Sequence, residues 1–445
     1  MDLVLCALLF FASVVVCLTR GLSLAWALAA AFCALFCAGL RRGYSASALL
    51  AMARKNEPKA MIVVRVLCYI GLLTGLWRSA GTIAFFIDYG IRIISPTLFV
   101  LVAFTLSLII SYAFGTSFGA ASTAGVVLMT LARAGGVSEA VTAGAILSGI
   151  YFGDRGAPTS SCASLVAALT ETELYGNVRR MHKTAALPVL LCFGIYYLLS
   201  RANPIRVVDE ALLGLLRESF GESPWTLLPA VIMLALPLVK FPIRRAMALS
   251  AAAAFVLTVT MQGVPALSAL RIAIHGYQPE NAALAQVMAG GGFFSMFPTM
   301  VMNVFAAACT GMLEGMGLLE TLRGRLTAMR ERIGLLPTLT VAGTAVIMCV
   351  CNQTISVMMS HQLIGELYAR EGKEHEELAL DLSNSVVTIA GLIPWSIGCS
   401  VPLSMMNAGV SALPYACYLY LIPLCYFFTK KYIFPTEERK TRQTQ

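Results

Sequence analysis

Apolar runs of membrane-crossing length alternate with short polar segments along nearly the whole chain. These runs occupy residues 3–19, 22–40, 60–78, 96–114, 184–200, 225–239, 246–262, 293–313, 333–350 and 413–429. A transmembrane helix needs about 20 mainly apolar residues. The pattern therefore predicts an all-α integral membrane protein with about 10–12 transmembrane helices. The first run follows no basic segment, so it is expected to be a membrane helix and not a cleaved leader.

Two long apolar regions, 120–175 and 380–410, are interrupted by Gly, Pro and hydroxyl residues. The sharpest interruption is "SGIYFGDRGAPTSS" (148–161), which places Asp154 and Arg155 between apolar runs. Backbone at membrane depth can leave the helix only where it packs in protein or lines a cavity. A charge there costs about 2.5–3.5 kcal/mol on insertion scales. The interruption therefore favours a binding site over a helix cap at the membrane surface.

The two halves of the chain carry matching interruptions. In the first half "YAFGTSFGAASTAGV" (112–126) precedes the Asp154 segment, and in the second "MCVCNQTISVMM" (348–359) precedes "LSNSVVTIAGLIPWSIGCSVPLSMM" (382–406). Paired broken helices at corresponding places indicate a transporter site between two inverted repeats. The predicted site is assembled from four discontinuous segments: 114–123, 153–161, 351–356 and 383–396.

This organisation divides the chain into five predicted segments. They are an N-terminal helical pair with a cytoplasmic loop (1–59), a first transport repeat (60–200), an outer amphipathic connector (201–224), a second transport repeat (225–430) and a cytoplasmic tail (431–445). The connector carries too many charges to span and is expected to lie at the membrane interface as a helix. Segment 361–380 is the most charged of the chain and is expected to be a solvated helical connection.

Composition and charge narrow the classes of function. Hydrophobic residues make up 58% of the 445 residues and charged residues 12%, about half the charged fraction of soluble proteins. The net charge of +9 arises from basic clusters between apolar runs, as expected for cytoplasmic loops. The expected partner is therefore the lipid bilayer and not nucleic acid. We predict a multi-pass protein of the cell (inner, cytoplasmic) membrane with both termini in the cytoplasm.

Other chemistries have little support in the sequence. The 13 cysteines lack metal-ligand spacing, so neither a metal site nor a cofactor is predicted. "GTSFG" (115–119) matches the nucleophile elbow of hydrolases, but it lies in an apolar helical run and not between a strand and a helix. The chain is therefore not expected to be an enzyme. Because it carries no nucleotide-binding motif, an ion gradient is the expected energy source. No oligomeric state is predicted.

Several separated motifs resemble those of the NhaC-type sodium/proton antiporters of the ion transporter superfamily. In chain order they are "GTIAFFIDYGIRIISPTLFVLVAFTLSLIISYAFGTSFGAAST", "SGIYFGDRGAPTSS", "GGGFFSMFPTM" with "GMLEGMGLLE", and "GLIPWSIGC". The resemblance extends from about residue 60 to residue 430. It implies the family's transporter fold and the exchange of a monovalent cation for protons.

The resemblance also implies site residues, and the chain departs from the family pattern at several of them. The retained positions are Asp154, Pro158, Gln353, Pro394 and Trp395. The positions at which a neutral residue stands for a family acid are Ser161, Asn352, Ser383 and Asn384. In addition, Arg155 stands for a lysine and Ser396 for an asparagine. Up to four carboxylates that could bind a cation or carry protons are therefore neutral here.

The sequence thus predicts a secondary active transporter of Na+/H+ antiporter type that works by alternating access. Asp154 is predicted to carry the cation and the proton, with Arg155 as its electrostatic partner and Glu314 as a second proton-coupling candidate. The further predicted ligands of the ion or substrate are Thr116, Ser117, Pro158, Thr159, Ser160, Ser161, Asn352, Gln353, Ser383, Asn384, Trp395 and Ser396. The alternative, favoured by the lost acids and the retained Arg155, is a Na+- or H+-coupled exchanger of small organic anions or amino acids.

Overall fold

The computed structural model describes residues 2–205, 210–220, 223–239, 241–317 and 323–434. These residues are helical almost throughout, and the extended backbone among them forms an isolated bridge between Tyr277 and Gly290. The α-helices of the described residues are α1 (Asp2–Arg20), α2 (Ala25–Arg41), α3 (Ala46–Arg54), α4 (Glu57–Ser79), α5 (Thr82–Ile93), α6 (Phe99–Phe114), α7 (Ser117–Ala120), α8 (Val126–Ala134), α9 (Glu139–Gly156), α10 (Ser161–Leu169), α11 (Leu174–Ala202), α12 (Glu210–Phe220), α13 (Leu228–Leu238), α14 (Ile243–Thr260), α15 (Ala266–His275), α16 (Ala282–Met288), α17 (Phe297–Gly315), α18 (Arg323–Ile333), α19 (Leu335–Val350), α20 (Gln353–Arg370), α21 (His375–Asn384), α22 (Val386–Ile389), α23 (Ile397–Met405) and α24 (Cys417–Ile433). The predicted all-α fold is confirmed.

The chain contains both helices of membrane-crossing length and shorter apolar helices. Among the described residues, four helical spans are long and apolar enough to cross a membrane alone: Ala60–Ser79, Leu174–Ala202, Ile243–Thr260 and Phe293–Gly315. Shorter apolar helices include α6 and α19, which end at the predicted interruptions. The chain is an integral membrane protein in which broken helices accompany continuous ones. The total of about 10–12 crossings remains a prediction.

The buried apolar side chains form two main clusters. The first includes side chains of α4, α6, α8 and α9, and the second includes side chains of α2, α17, α19 and α20. The break after α6 belongs to the first cluster, and the break after α19 belongs to the second. The site described below lies where elements of the two clusters meet.

Close packing of α6 on α9 depends on small residues. A Cβ atom added at Gly153 would lie 2.1 Å from the carbonyl carbon of Ser111, and one at Gly149 would lie 2.6 Å from the carbonyl oxygen of Phe104. Glycines at helix contacts let two backbones approach this closely. The contact fixes Asp154, the residue after Gly153, against the chain that follows α6.

The charged segments between the halves lie partly outside the described residues. The predicted connector contains α12, which an ion pair of 2.7 Å between Arg217 Nη2 and Asp88 Oδ1 ties to α5. Its residues 206–209 and 221–222, and residues 435–445 of the predicted tail, are outside the described part. Segment 361–380 is helical as predicted. It is exposed at Glu366, but Glu377 is only 6% exposed, so the prediction of a solvated connection was wrong for its last turns.

Candidate functional site

Two helices, one in each half of the chain, break with the same backbone geometry. After α6, Gly115 adopts the left-handed conformation (φ 66°, ψ 26°) and Thr116 is extended (φ −151°, ψ 132°) before α7 begins. After α19, Cys351 is left-handed (φ 59°, ψ 9°) and Asn352 is extended (φ −131°, ψ 119°) before α20 begins. Each break therefore exposes the carboxyl end of one helix and the amino end of the next.

Two proline turns, again one in each half, begin short helices. In Ala157–Ser160 and Ile393–Ser396 the N–H of the last residue donates to the carbonyl of the first at 2.9 Å, with proline second in the turn. Ser160 then caps α10 by accepting a backbone N–H at 3.1 Å, and Ser396 caps α23 by accepting one at 3.3 Å. A serine cap satisfies donors that the start of a helix leaves free.

The breaks and the turns repeat at one constant spacing. Each feature of the second half follows its counterpart by 236 positions, as from Gly115 to Cys351 and from Ser160 to Ser396. A serine one turn into each short helix also donates its hydroxyl to the capping serine's carbonyl, at 2.8 Å in both. The two halves therefore share local backbone structure. The inverted relation between them remains a prediction.

The carboxylate of Asp154 joins the two breaks. It is buried near the end of α9 at 6% exposure, and its Oδ1 accepts the backbone N–H of Ser117 at 3.2 Å. Its Oδ2 accepts a hydrogen bond from Nε2 of Gln353 at 3.2 Å, and the same amide nitrogen also donates to the carbonyl of Val387. Ser117 and Gln353 are the first residues of α7 and α20, so equivalent positions of the two halves hold one carboxylate between them.

Arg155 points away from Asp154. Its guanidinium, 1% exposed, donates to Oδ1 of Asn384, to the carbonyl of Met181 at 2.7 Å and to the hydroxyl of Thr184 at 3.5 Å. The expected pairing of Arg155 with Asp154 is not formed, because neighbouring side chains of a helix diverge and do not face each other. Among the described residues no carboxylate lies within ion-pair distance of this buried guanidinium.

The predicted hydroxyl ligands fall into three settings. Ser160 donates to the backbone carbonyl of Asp154 while it caps α10, so it fixes the end of α9. Thr159 and Ser161 are exposed, on the turn and at the start of α10. Ser383 is buried and donates to a carbonyl one turn back in its own helix at 2.8 Å. None of these hydroxyls donates to the Asp154 carboxylate.

The remaining predicted residues hold the broken backbone. Asn352 caps α20 by accepting the N–H of Ile355 at 3.1 Å, and the partly buried Thr116 lies in the break before α7. Trp395 donates Nε1 to the carbonyl of Met348 at 2.9 Å and packs edge-on against Phe10. Its contacts are those of a packed tryptophan at a helix interface.

Glu314 lies at a different place from Asp154. It is the last residue but one of α17, and its Oε2 forms an ion pair of 3.3 Å with Nζ of Lys55, which lies between α3 and α4. Glu314 therefore makes a contact at a helix end and none with the two breaks.

A second buried acid, Asp381, was missed by the sequence reasoning. It is fully buried on α21 and accepts hydrogen bonds from the hydroxyls of Tyr368 and Tyr426 and from Nζ of Lys430. Lys430 also pairs with Glu377 at 2.8 Å. The signal was present, because "LALDLSN" places an acid in an apolar run just as the Asp154 segment does.

The arrangement around Asp154 suits the binding of a small monovalent cation or a proton. One carboxylate accepts hydrogen bonds from neutral donors at two helix breaks, where the carboxyl ends of α6 and α19 contribute backbone oxygens and the negative ends of their dipoles. Within the part of the chain that the structure describes, no three His, Cys, Asp or Glu side chains cluster to hold a metal ion. A site with a single carboxylate and neutral oxygens carries too little charge for a tightly held divalent ion.

Comparison with known proteins agrees with this geometry. The chain is similar to an uncharacterized Na(+)/H(+) antiporter of Haemophilus influenzae, with 28% identity over 80% of both chains. It is also similar to two Bacillus subtilis proteins, each at 26% identity. They are a malate-2H(+)/Na(+)-lactate antiporter, over 91% of this chain and 89% of that protein, and the Na(+)/H(+) antiporter NhaC, over 83% of both.

Broken helices that meet at a buried carboxylate within an all-helical membrane fold are typical of secondary transporters. The family model of the Na+/H+ antiporters matches residues 149–434, which is more than half of the chain and includes Asp154. The protein belongs to the Na+/H+ antiporter family. The resemblance seen in the sequence motifs is thereby confirmed.

Proposed function

We propose that the protein exchanges Na+ for protons across the membrane and that Asp154 carries both ions in turn. The carboxylate accepts a proton in one state of the transport cycle and a Na+ ion in the other. Antiport follows because the two ions compete for one carboxylate. The protein changes conformation only when this carboxylate holds either a proton or a Na+ ion, so the two ions cross the membrane in opposite directions.

The observation that carries the proposal is the surroundings of the Asp154 carboxylate. It is buried, and its donors are the neutral N–H of Ser117 and the neutral amide of Gln353. A buried carboxylate without a cationic partner is costly, so it either takes up a proton or binds a cation. Because Arg155 donates to Asn384 and Met181, it does not neutralise the Asp154 carboxylate. The transported ion supplies the compensating positive charge.

The other ligands of Na+ would be neutral oxygens near the two breaks. Thr116, Ser117 and Asn352 lie in or beside them, together with carbonyls at the ends of α6 and α19. Na+ is a hard cation that favours oxygen ligands of this kind. The serine caps Ser160 and Ser396 would hold the short helices in place while one group of helices moves against the other.

We place the protein in the cell (inner, cytoplasmic) membrane with both termini in the cytoplasm. The basic segments between apolar runs support this orientation. The repeat spacing of 236 residues supports two related transport units, which we infer to be inverted.

The test is proton flux in proteoliposomes that contain a pH dye and receive pulses of Na+, K+ or Li+. The wild type should move protons in response to Na+, and Asp154→Asn should abolish the response. Asp88→Asn is the matched control, since Asp88 is equally buried but is paired with Arg217 at another place in the fold. Cation-driven flux in Asp154→Asn at the wild-type rate would refute the proposal.

A second candidate function is Na+- or H+-coupled exchange of small organic anions or amino acids. The observation in its favour is Arg155, a buried cation whose acceptors among the described residues are all neutral. The similarity to a malate-2H(+)/Na(+)-lactate antiporter points the same way. Stimulation of the proton signal by lactate or malate inside the vesicles, and its absence without them, would favour this candidate over simple cation exchange.

A further inference from the structure

A polar cavity whose lining does not include Asp154 contains a buried arginine, Arg78, that has no part in the proposed transport site. The cavity has a volume of about 490 Å³ and lies where α4 and α23 end. Its walls include Thr74, Arg78, Gly290, Thr299, Ser404 and Asn407. A volume of this size is typical of sites for small molecules.

Arg78 gives the cavity an uncompensated positive charge. The residue is 6% exposed, and its Nε and Nη1 atoms are buried without a hydrogen-bond partner. Among the described residues no carboxylate lies within ion-pair distance of it. Buried charges are normally paired, and an unmet donor of a buried guanidinium destabilises the fold. An anionic or strongly accepting ligand in the cavity would satisfy these donors.

The wall beside Arg78 includes a loop of three glycines that packs closely on α4. Gly290, Gly291 and Gly292 all have positive φ (119°, 74° and 84°), and the N–H of Gly292 donates to the carbonyl of Gly71 on α4 at 2.8 Å. A Cβ atom at Gly291 would lie 2.4 Å from the backbone nitrogen of Gly75. Only glycine fits this approach, so the loop is seated on the helix that carries Arg78.

Two other lining residues, Thr299 and Ser404, supply hydroxyls, and Arg133 contacts the backbone of a third, Asn407. The hydroxyls of Thr299 and Ser404 are hydrogen-bonded to each other at 2.7 Å and face the cavity with Asn407. Nη2 of Arg133 donates to the carbonyl of Asn407 at 2.9 Å, while Arg133 is balanced by an ion pair of 2.8 Å with Glu139. Hydroxyls near an unbalanced guanidinium form an arrangement that binds carboxylates.

We propose that this cavity is a binding site for a small carboxylate anion, with the guanidinium of Arg78 as its anchor. The planar guanidinium matches the two oxygens of a carboxylate. The Thr299 and Ser404 hydroxyls hold polar groups on the body of the ligand. The site stands on its own residues and does not depend on cation–proton exchange at Asp154.

The test is isothermal titration of the purified full-length protein in detergent with lactate, malate, chloride and sulfate. A carboxylate should bind to the wild type, and its affinity should fall by about tenfold or more in Arg78→Gln, since a charge-assisted hydrogen bond is lost. Exposed Arg244 provides the matched control, because Arg244→Gln removes the same charge outside the cavity. Arg78→Lys, which keeps the charge but not the planar fork, should bind with intermediate affinity.

Thr299→Val is an independent probe, because it removes one hydroxyl from the lining of the cavity and leaves Arg78 in place. It should weaken the binding of lactate and malate more than the binding of acetate, which has no hydroxyl group and is titrated for this comparison. Absence of carboxylate binding to the wild type, or equal binding to Arg78→Gln and the wild type, overturns the proposal. Binding of chloride or sulfate as tight as that of the carboxylates overturns its assignment to carboxylates.

Discussion

The contact between α6 and α9 gives a sharp prediction about the site, through the variant Gly153→Ala. The new Cβ atom would lie 2.1 Å from the carbonyl carbon of Ser111 and 2.4 Å from the backbone nitrogen of Tyr112. Non-bonded carbon atoms are at rest at about 3.5–4.0 Å, so the two helices must separate by roughly 1.4 Å at this point. No flexible side chain can absorb the shift, because the opposing atoms are backbone.

The separation acts directly on Asp154. Its Oδ1 lies 3.2 Å from the backbone nitrogen of Ser117, which follows α6. A displacement of roughly 1.4 Å along the same direction stretches this contact to about 4.6 Å, beyond hydrogen-bonding distance. Overpacking of this kind costs about 1–3 kcal/mol of stability, and a misplacement of about 1 Å at a working site can cost about 100-fold in rate.

The assay is Na+-pulsed proton flux in proteoliposomes, together with thermal unfolding of the purified protein. We expect Gly153→Ala to unfold at a lower temperature and to lose at least about tenfold in flux. Gly156→Ala is the matched control on the same helix, since its Cβ atom would meet nothing nearer than Met181 Cβ at 3.8 Å. If Gly153→Ala transported as fast as Gly156→Ala, the role given to the α6–α9 contact would be refuted.

Three further predictions concern buried groups around the site. Asn384→Leu removes the acceptor of a buried Arg155 donor and should cost about 1–3 kcal/mol in the free energy of unfolding, measured by chemical denaturation in detergent. Cys351→Gly should be more stable than Cys351→Ala by about 1 kcal/mol, because both lose the buried thiol and only alanine keeps the strain of the left-handed conformation. Lys430→Met leaves the buried Asp381 without its cation and should cost about 3–5 kcal/mol in the same denaturation assay.

Each of these predictions has an internal control. Asn384→Asp keeps an acceptor for Arg155 and should be at least as stable as the wild type, so equal losses in the Leu and Asp variants would contradict the reasoning. Cys351→Ala keeps the side chain's Cβ and should bring no gain. Adding Asp381→Asn to Lys430→Met should recover part of the loss, and an additive further loss would argue against a coupled pair.

The sequence located the breaks but not the directions of the side chains. Gly115 and Pro158 in apolar runs were enough to predict interrupted helices, because few other roles explain such residues at membrane depth. That Arg155 turns toward Asn384 depends on where the fold places α21 relative to the end of α9, which is a tertiary relation. Neighbours in sequence were expected to pair, yet on a helix they face different surroundings.

Other parts of the two sites depend on long-range contacts. Gln353 reaches Asp154 across 199 positions of the chain, and nothing local in "NQTIS" indicates that partner. Arg78 ends an apolar run, as many loop-facing arginines do, and its isolation becomes visible only when α4, the 290–292 loop and α23 are assembled. Asp381 was within reach of the sequence argument, since it follows the same rule as Asp154.

The measurement that tests the central claim most directly is Na+-induced proton release from the purified protein in weakly buffered detergent solution. If Na+ and a proton compete for Asp154, adding Na+ to the wild type should release protons into a pH dye, and Asp154→Asn should release none. The signal should saturate with Na+ and diminish as the starting pH rises, because fewer proteins then carry the proton to be displaced. Undiminished proton release from Asp154→Asn would contradict the account.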